Sequence, residues 1–178
     1  MKNIKKAAMF GLDARIALAI FGALSVISGA AIYSAIEQAK LVSIHTEIRE
    51  LEKAIEAYML DVGTDLPQNL SNYDLEELVV STATGWNGPY VSLEIEPVGN
   101  ENLDHGVYGD WRARWWNRAG VYSVWIEINQ VPTALAEKFE IYIDGELDNA
   151  AGNVQLSAEN SGRKNIYYKT NIIPFKQS

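Results

Sequence analysis

The sequence has no cysteine, only two histidines and fewer basic than acidic residues. Without cysteine, neither a disulfide framework nor a thiolate metal site is possible. The two histidines, His45 and His105, lie sixty residues apart, and no Gly-x-Ser-x-Gly, phosphate-binding or His-Glu-x-x-His motif is present. We therefore expect a protein that is not an enzyme.

Charge is distributed unevenly along the 178 residues, whose net charge is −8. Residues 1–15 contain Lys2, Lys5, Lys6 and Arg15 against Asp13 alone, so they carry +3 and the remainder carries −11. An acidic main body repels phosphate backbones, and we expect no nucleic-acid partner.

A long uncharged segment follows the basic start. Residues 16–36 contain no formal charge, and as a helix they would extend about 31 Å, enough to cross a bilayer core. Lysines precede the segment and acidic residues dominate after it, which predicts a single-pass protein with a cytoplasmic N-terminus. A cleaved secretory signal fits less well, because 21 residues exceed the usual apolar region of such signals.

Helical periodicity continues beyond the uncharged segment. Apolar residues recur at spacings of three and four, which predicts one buried stripe on a helix. The stripe consists of Leu41, Ile44, Ile48, Leu51, Ile55 and Tyr58. From Leu41 onward, no glycine or proline occurs before Gly63 and Pro67. A single helix of about 70 Å is therefore expected to connect the membrane with an exported domain.

The N-terminus resembles the prepilin signature: a short basic leader, then Gly11, then a long apolar helix. The resemblance implies that a prepilin peptidase cleaves between Gly11 and Leu12 and methylates the new terminus. Ile16 occupies the position at which the family usually has glutamate, and Asp13 and Arg15 are the charged residues nearby.

The segment after the stripe is similar to the major pseudopilin of type II secretion. The similarity lies in a helix end, Gly63, Pro67, a short helix, then Trp86 and Gly-Pro-Tyr at 88–90, and it covers residues 11–92. It implies a pilin-like fold and a filament subunit. Gly63 is expected to terminate the long helix, and Ser71 or Asn72 to cap the short one. Trp86 and Tyr90 are expected to pack on the long helix.

The C-terminal half predicts a small sheet. Residues 111–117 and 121–128 alternate as two strands of a hairpin, 133–142 form a short helix capped by Thr133, and 153–158 and 164–172 form two more strands. We therefore expect an α+β fold, in which a long N-terminal helix, half transmembrane and half amphipathic, packs on an antiparallel sheet of about four strands.

The corresponding domain prediction has three parts. Residues 1–11 are a leader peptide, and 12–36 are the transmembrane half of the helix. Residues 37–178 are a pilin-like domain outside the cytoplasm, including the amphipathic half at 37–61. The chain is thus expected in the inner membrane, with its C-terminal domain periplasmic or extracellular in a filament.

Two further groups are weaker candidate sites. Asp144, Glu146, Asp148 and Asn149 gather oxygen ligands that suit calcium, although a turn stabilised by Asp and Asn side chains is the simpler interpretation. No other cofactor is expected. An aromatic cluster would suit recognition of a partner protein or sugar, although packing in the core or at a subunit interface is the simpler interpretation. The cluster consists of Trp111, Trp115, Trp116 and Trp125.

The function predicted from these features is helical co-assembly in a secretion or pilus filament. Gly22, Ser25 and Gly29 offer a small-residue face on which sister helices could pack closely. The implied partners are other pilin-like subunits, a prepilin peptidase, an inner-membrane assembly platform and lipid. The alternatives are a filament-tip adhesin that uses the aromatic cluster and a membrane-tethered periplasmic protein that never assembles.

Overall fold

The computed structural model describes residues 3–70, 72–95, 102–118 and 121–175, with the side chains of 3–12, 117 and 118 outside the description. The helices are α1 (Asn3–Val62) and α2 (Thr133–Asp144), with a 3₁₀ helix at Leu75–Leu78. The strands are β1 (Gln68–Asn69), β2 (Asn72–Tyr73), β3 (Leu103–Asp104), β4 (Asp110–Arg118), β5 (Val121–Pro132), β6 (Val154–Leu156) and β7 (Arg163–Lys169).

The chain divides into two compact units, Met1–Val42 and Ser43–Ser178. The first contains the apolar part of α1. The second contains the end of α1 together with the sheet and α2.

All strand pairs in the sheet are antiparallel, in the order β1-β2-β4-β5-β7-β6, with β3 also pairing with β4. The α+β layout is confirmed, but among the described residues the sheet has seven strands rather than about four. The additional strands β1, β2 and β3 contain two residues each, too few to show alternation. The hairpin of β4 and β5 is confirmed. Of its predicted turn at 118–120, Arg118 belongs to β4, and residues 119–120 lie outside the described residues.

The amphipathic part of α1 buries the predicted stripe within the second unit. Ile44, Ile48, Leu51, Ile55 and Tyr58 are each at most 2 % exposed. At roughly 25 cal/mol per Å² of apolar surface, such burial supplies most of the driving force for docking this segment. The helix therefore contributes one wall of the domain core.

Aromatic contacts tie α1 to the rest of the second unit. The His45 ring contacts the rings of Tyr142 in α2 and Tyr168 in β7. Tyr58 meets Tyr90 edge to face at 6.1 Å, and Tyr90 donates a hydrogen bond to the Asp61 carboxylate at 2.9 Å. Tyr90 thus packs on the helix as its sequence context predicted.

Helix ends agree only partly with the sequence prediction. Gly63 has a φ of 77° and its N–H reaches the Met59 carbonyl at 2.9 Å, so it terminates α1 as expected. The next helix is capped by Asp74 rather than by Asn72, because the Asp74 carboxylate accepts the N–H of Glu76. Ser71, the other predicted cap, lies outside the described residues. Thr133 begins α2 without acting as its cap, since no side chain caps that helix.

The long strand β5 is buried on both faces, although one face was expected to meet the core. Val124, Ile126 and Ile128 lie on the face towards α1, because Ile126 is in register with Tyr168, which contacts His45. Trp125 and Glu127 point to the opposite face and are also buried. This second face is therefore a closed layer of side chains.

Candidate functional site

The apolar part of α1 is the first candidate site because it is exposed. Within the described residues, α1 is the one helix long and apolar enough to cross a membrane, by length and composition, and its most apolar window is not buried at all. Its large exposed side chains are Ile16, Leu18, Ile20, Phe21, Leu24, Val26, Ile27, Ile32, Tyr33, Ile36 and Val42. A surface of this kind is compatible with a membrane-spanning segment.

A small-residue face runs along this segment. Ser25 follows Gly22 by three residues and Gly29 follows Ser25 by four, so the three share one side of α1. Apart from the helix's own backbone, no described atom lies within 4 Å of a Cβ placed at Gly22 or Gly29. The Ser25 hydroxyl donates to the Phe21 carbonyl at 2.8 Å, which satisfies it inside the helix. The face is therefore open to close approach by another helix.

The predicted processing site lies at the start of the same helix. Gly11 and Leu12 fall within α1, and their side chains are outside the described part of the chain. Asp13 and Arg15 are both exposed. Being two residues apart on a helix, they point to different sides and do not pair with each other.

The four tryptophans of the predicted aromatic cluster divide between the two faces of the sheet. Trp111 is 2 % exposed and stacks on His105 with ring centroids 4.7 Å apart. Trp115 is half-buried and stacks on Tyr122 at 5.4 Å. These two tryptophans of β4 lie on the face towards α1, because they are in register with Ile128 and Val124.

The other two tryptophans lie on the second face. Trp125 is 2 % exposed, and its indole N–H donates to the Ser123 hydroxyl at 2.9 Å. Trp116 is half-buried, with its ring 5.2 Å from Trp125 and 5.1 Å from Tyr167. The cluster is thus divided by the sheet, and two of its four members are core residues.

A buried carboxylate lies beside these tryptophans, and sequence reasoning missed it. Glu127 is completely buried, and its carboxylate lies 2.5 Å from the Arg114 guanidinium and accepts the Asn165 side-chain amide at 2.8 Å. Burial, together with the Glu127 charge, raises the pKa of Tyr167. The Glu127 charge therefore interacts with Arg114 and Asn165 inside the fold.

The predicted calcium loop is organised by hydrogen bonds between carboxylates and backbone amides. Asp144 accepts the N–H groups of Asn153 and Val154 at 3.1 and 2.8 Å. Asp148 accepts those of Ala150 and Ala151, and these bonds lower its pKa. The hydrogen bonds of this loop are thus those of a turn stabilised by Asp side chains.

The remaining loop ligands point elsewhere. The Asn149 side-chain oxygen accepts a hydrogen bond from the Lys164 ammonium at 2.8 Å, and Glu146 is exposed. In the described part of the chain, no three His, Cys, Asp or Glu side chains are grouped so as to hold a metal ion. Calcium at this loop therefore stays a prediction without a ligand cluster to support it.

His105 is a second residue whose environment the sequence did not indicate. Its side chain is 3 % exposed, between the Trp111 and Tyr108 rings, and its Nε2 lies 3.4 Å from the Glu47 carboxylate without hydrogen-bond geometry. Burial lowers the pKa of His105 below 6.5, while the Glu47 charge opposes that shift. Burial therefore favours the neutral form of the imidazole in the folded domain.

This burial predicts how stability depends on pH. Because the folded pKa of His105 is lowered, stability is fully present above about pH 6.5 and decreases as the unfolded chain takes up a proton below it. Replacement of His105 by phenylalanine should reduce this decrease by up to about 1.4 kcal/mol per pH unit.

Denaturant unfolding at pH 7.5 and 5.5, followed by tryptophan fluorescence, measures the difference. His45→Phe is measured alongside His105→Phe, because burial also lowers the pKa of His45. This second variant gives the contribution of His45 to the pH dependence of stability separately. An unchanged slope in His105→Phe would contradict the prediction.

Comparison with known proteins identifies no relative: no family model, curated protein or solved structure matches this chain.

Proposed function

We propose that this chain is a structural subunit of a type IV pilin-like filament, with no enzymatic activity, that assembles through its N-terminal helix. The observation that carries the proposal is the apolar part of α1, whose large apolar side chains between Ile16 and Ile36 are exposed. Before assembly, lipid would cover this surface. After assembly, equivalent helices of other subunits would replace the lipid.

The small-residue face supports packing between helices rather than simple anchoring. Lipid tails are as apolar as leucine, so helices associate in a membrane through close van der Waals contact. Gly22, Ser25 and Gly29 allow such contact because they lack bulk. An isolated anchor gains nothing from small residues on one side.

The proposed route begins in the inner membrane. The basic residues 1–15 hold the N-terminus in the cytoplasm, and the domain that starts near Ser43 is exported. A prepilin peptidase then cleaves after Gly11, and an assembly platform adds the subunit to the filament. The sequence resemblance to pseudopilins supports both partners.

A tip adhesin is less well supported. Such a protein would present its tryptophans to a ligand, whereas Trp111 and Trp125 are core residues. The burial of half of the cluster favours a structural role for these side chains.

Processing provides a direct test of the proposed route. In a host that has a prepilin peptidase, the mature protein should lack residues 1–11 and carry a methylated Leu12. Intact-mass measurement of the membrane-extracted protein detects both changes. Gly11→Val is expected to leave the leader attached, and Gly22→Val is the control that should be processed normally. A parent protein that retains Met1 in assembled material would refute this route.

A further inference from the structure

A cleft of about 730 Å³ lies in the second unit between α1 and the segment that follows Pro89. Leu51, Ala54 and Trp111 form apolar parts of its lining, and Leu93 lies among the residues opposite the helix. Clefts of this volume, with an apolar floor and a few polar groups, are typical of binding sites.

The helix side of the cleft is acidic at one end. Glu47 and Glu50 are one turn apart on α1 and both line the cleft, while Lys53 lines it one turn further along. Between them these three side chains carry a net charge of −1. A ligand with one positive charge would be favoured at the Glu47 end.

The buried side chain of His105 lies next to the Glu47 carboxylate. The His105 side chain is 3 % exposed, lines the cleft and has no hydrogen-bond partner on either ring nitrogen among the described residues. Its Nε2 is 3.4 Å from the Glu47 carboxylate, which is itself 38 % exposed. A small movement of Glu47 would bring its carboxylate within hydrogen-bond distance of the imidazole.

The opposite side of the cleft is an extended backbone edge. Val91, Ser92 and Leu93 line the cleft and make no main-chain hydrogen bond to any residue that the structure describes. The flanking residues do make such bonds: the Tyr90 N–H reaches the Leu78 carbonyl, and the Glu94 carbonyl accepts the Asp104 N–H. Between two ends that are hydrogen-bonded, three consecutive residues without a main-chain partner among the described residues thus present donors and acceptors to an added strand.

We propose that this cleft binds an extended peptide segment of a partner protein as an added strand along residues 91–93, with a lysine or arginine of the peptide at Glu47 and Glu50. Main-chain hydrogen bonds would hold the peptide, and its apolar side chains would cover Leu51 and Ala54. The acidic wall would select the basic residue. The proposal is independent of helix-mediated assembly.

Synthetic peptides test the proposal with the full chain in detergent micelles. The probe is acetyl-Thr-Val-Lys-Val-Thr-amide, and its matched control carries glutamate in place of lysine. Saturating lysine peptide should slow amide hydrogen exchange by about fivefold at alternate residues of the segment, either Val91 and Leu93 or Ser92, as expected for one additional hydrogen bond. Residues 157–162, which do not line the cleft, should exchange unchanged.

Two further comparisons separate the parts of the proposal. A lysine peptide N-methylated at alternate residues keeps its side chains but loses main-chain donors, and it should bind more weakly. Glu47→Gln should weaken binding of the lysine peptide by about two- to fivefold. Glu56→Gln is the matched control, because Glu56 is an exposed residue of α1 outside the cleft.

Each of the following results would contradict one part of the proposal. Equal binding of the N-methylated peptide, or binding without protection of residues 91–93, would exclude strand addition. Equal binding of the glutamate peptide would exclude selection by charge. Absence of binding at millimolar peptide would exclude the cleft as a peptide site.

Discussion

Replacement of both Gly22 and Gly29 by leucine is expected to leave membrane insertion intact and to abolish assembly. Leucine is more favourable than glycine in lipid, so insertion should be unchanged or slightly better. The two added side chains project from the small-residue face, where no described residue occupies the space. They would hold a neighbouring helix away from the backbone and remove the close contact that drives association.

Cysteine crosslinking measures this loss, since the chain has no native cysteine. A Ser25→Cys reporter lies between the two glycines on the same face and should crosslink in otherwise unchanged protein. Ala23→Leu with Ala30→Leu is the matched control, because the two alanines have the same spacing and lie about 100° around the helix.

Three outcomes are informative. Crosslinking retained only in the alanine control supports packing through the glycine face. Equal crosslinking in all three proteins shows that association does not depend on close approach at the two glycines. If the reporter never crosslinks in the host while insertion is normal, the chain is a tethered protein that does not assemble.

The helical stripe was predictable because its signal is long. From Ile44 to Tyr58 the spacing of three and four persists over four turns, and every member of this part of the stripe is buried. The strands β4 and β5 were predictable for the same reason, since each spans at least nine residues. Two-residue strands such as β1 carry no period, and so the size of the sheet was underestimated.

Local sequence patterns could not predict the helix caps or the burial of the second face of the sheet. Several residues near residue 72 are suitable caps, and the fold selects Asp74. Glu127 was visible in the sequence only as a polar residue of an alternating strand. Its burial depends on Arg114 and Asn165, which lie 13 and 38 residues away and meet it through strand register. Only a known register could have revealed this contact.

The contact of Glu127 with Arg114 and Asn165 also predicts a large change in the free energy of unfolding. Replacement of Glu127 by alanine is expected to lower the free energy of unfolding by about 3 kcal/mol, the lower end of the range for breaking a buried ion pair. The lower end applies because the Arg114 side chain is 23 % exposed and regains some hydration. The Asn165 amide would also lose the acceptor that it has at 2.8 Å.

Denaturant unfolding of the full chain in micelles, followed by tryptophan fluorescence, measures this change, because all five tryptophans lie in the second unit. Glu159→Ala removes an exposed carboxylate and should cost less than about 0.5 kcal/mol.

Removing both charges in Glu127→Leu with Arg114→Met should be milder than Glu127→Ala, because no unpaired charge then remains beside the sheet. If Glu127→Ala unfolds like the Glu159 variant, the ion pair contributes nothing to the domain. If the double variant is the less stable of the two, the loss comes from packing around Trp116 rather than from an unpaired guanidinium.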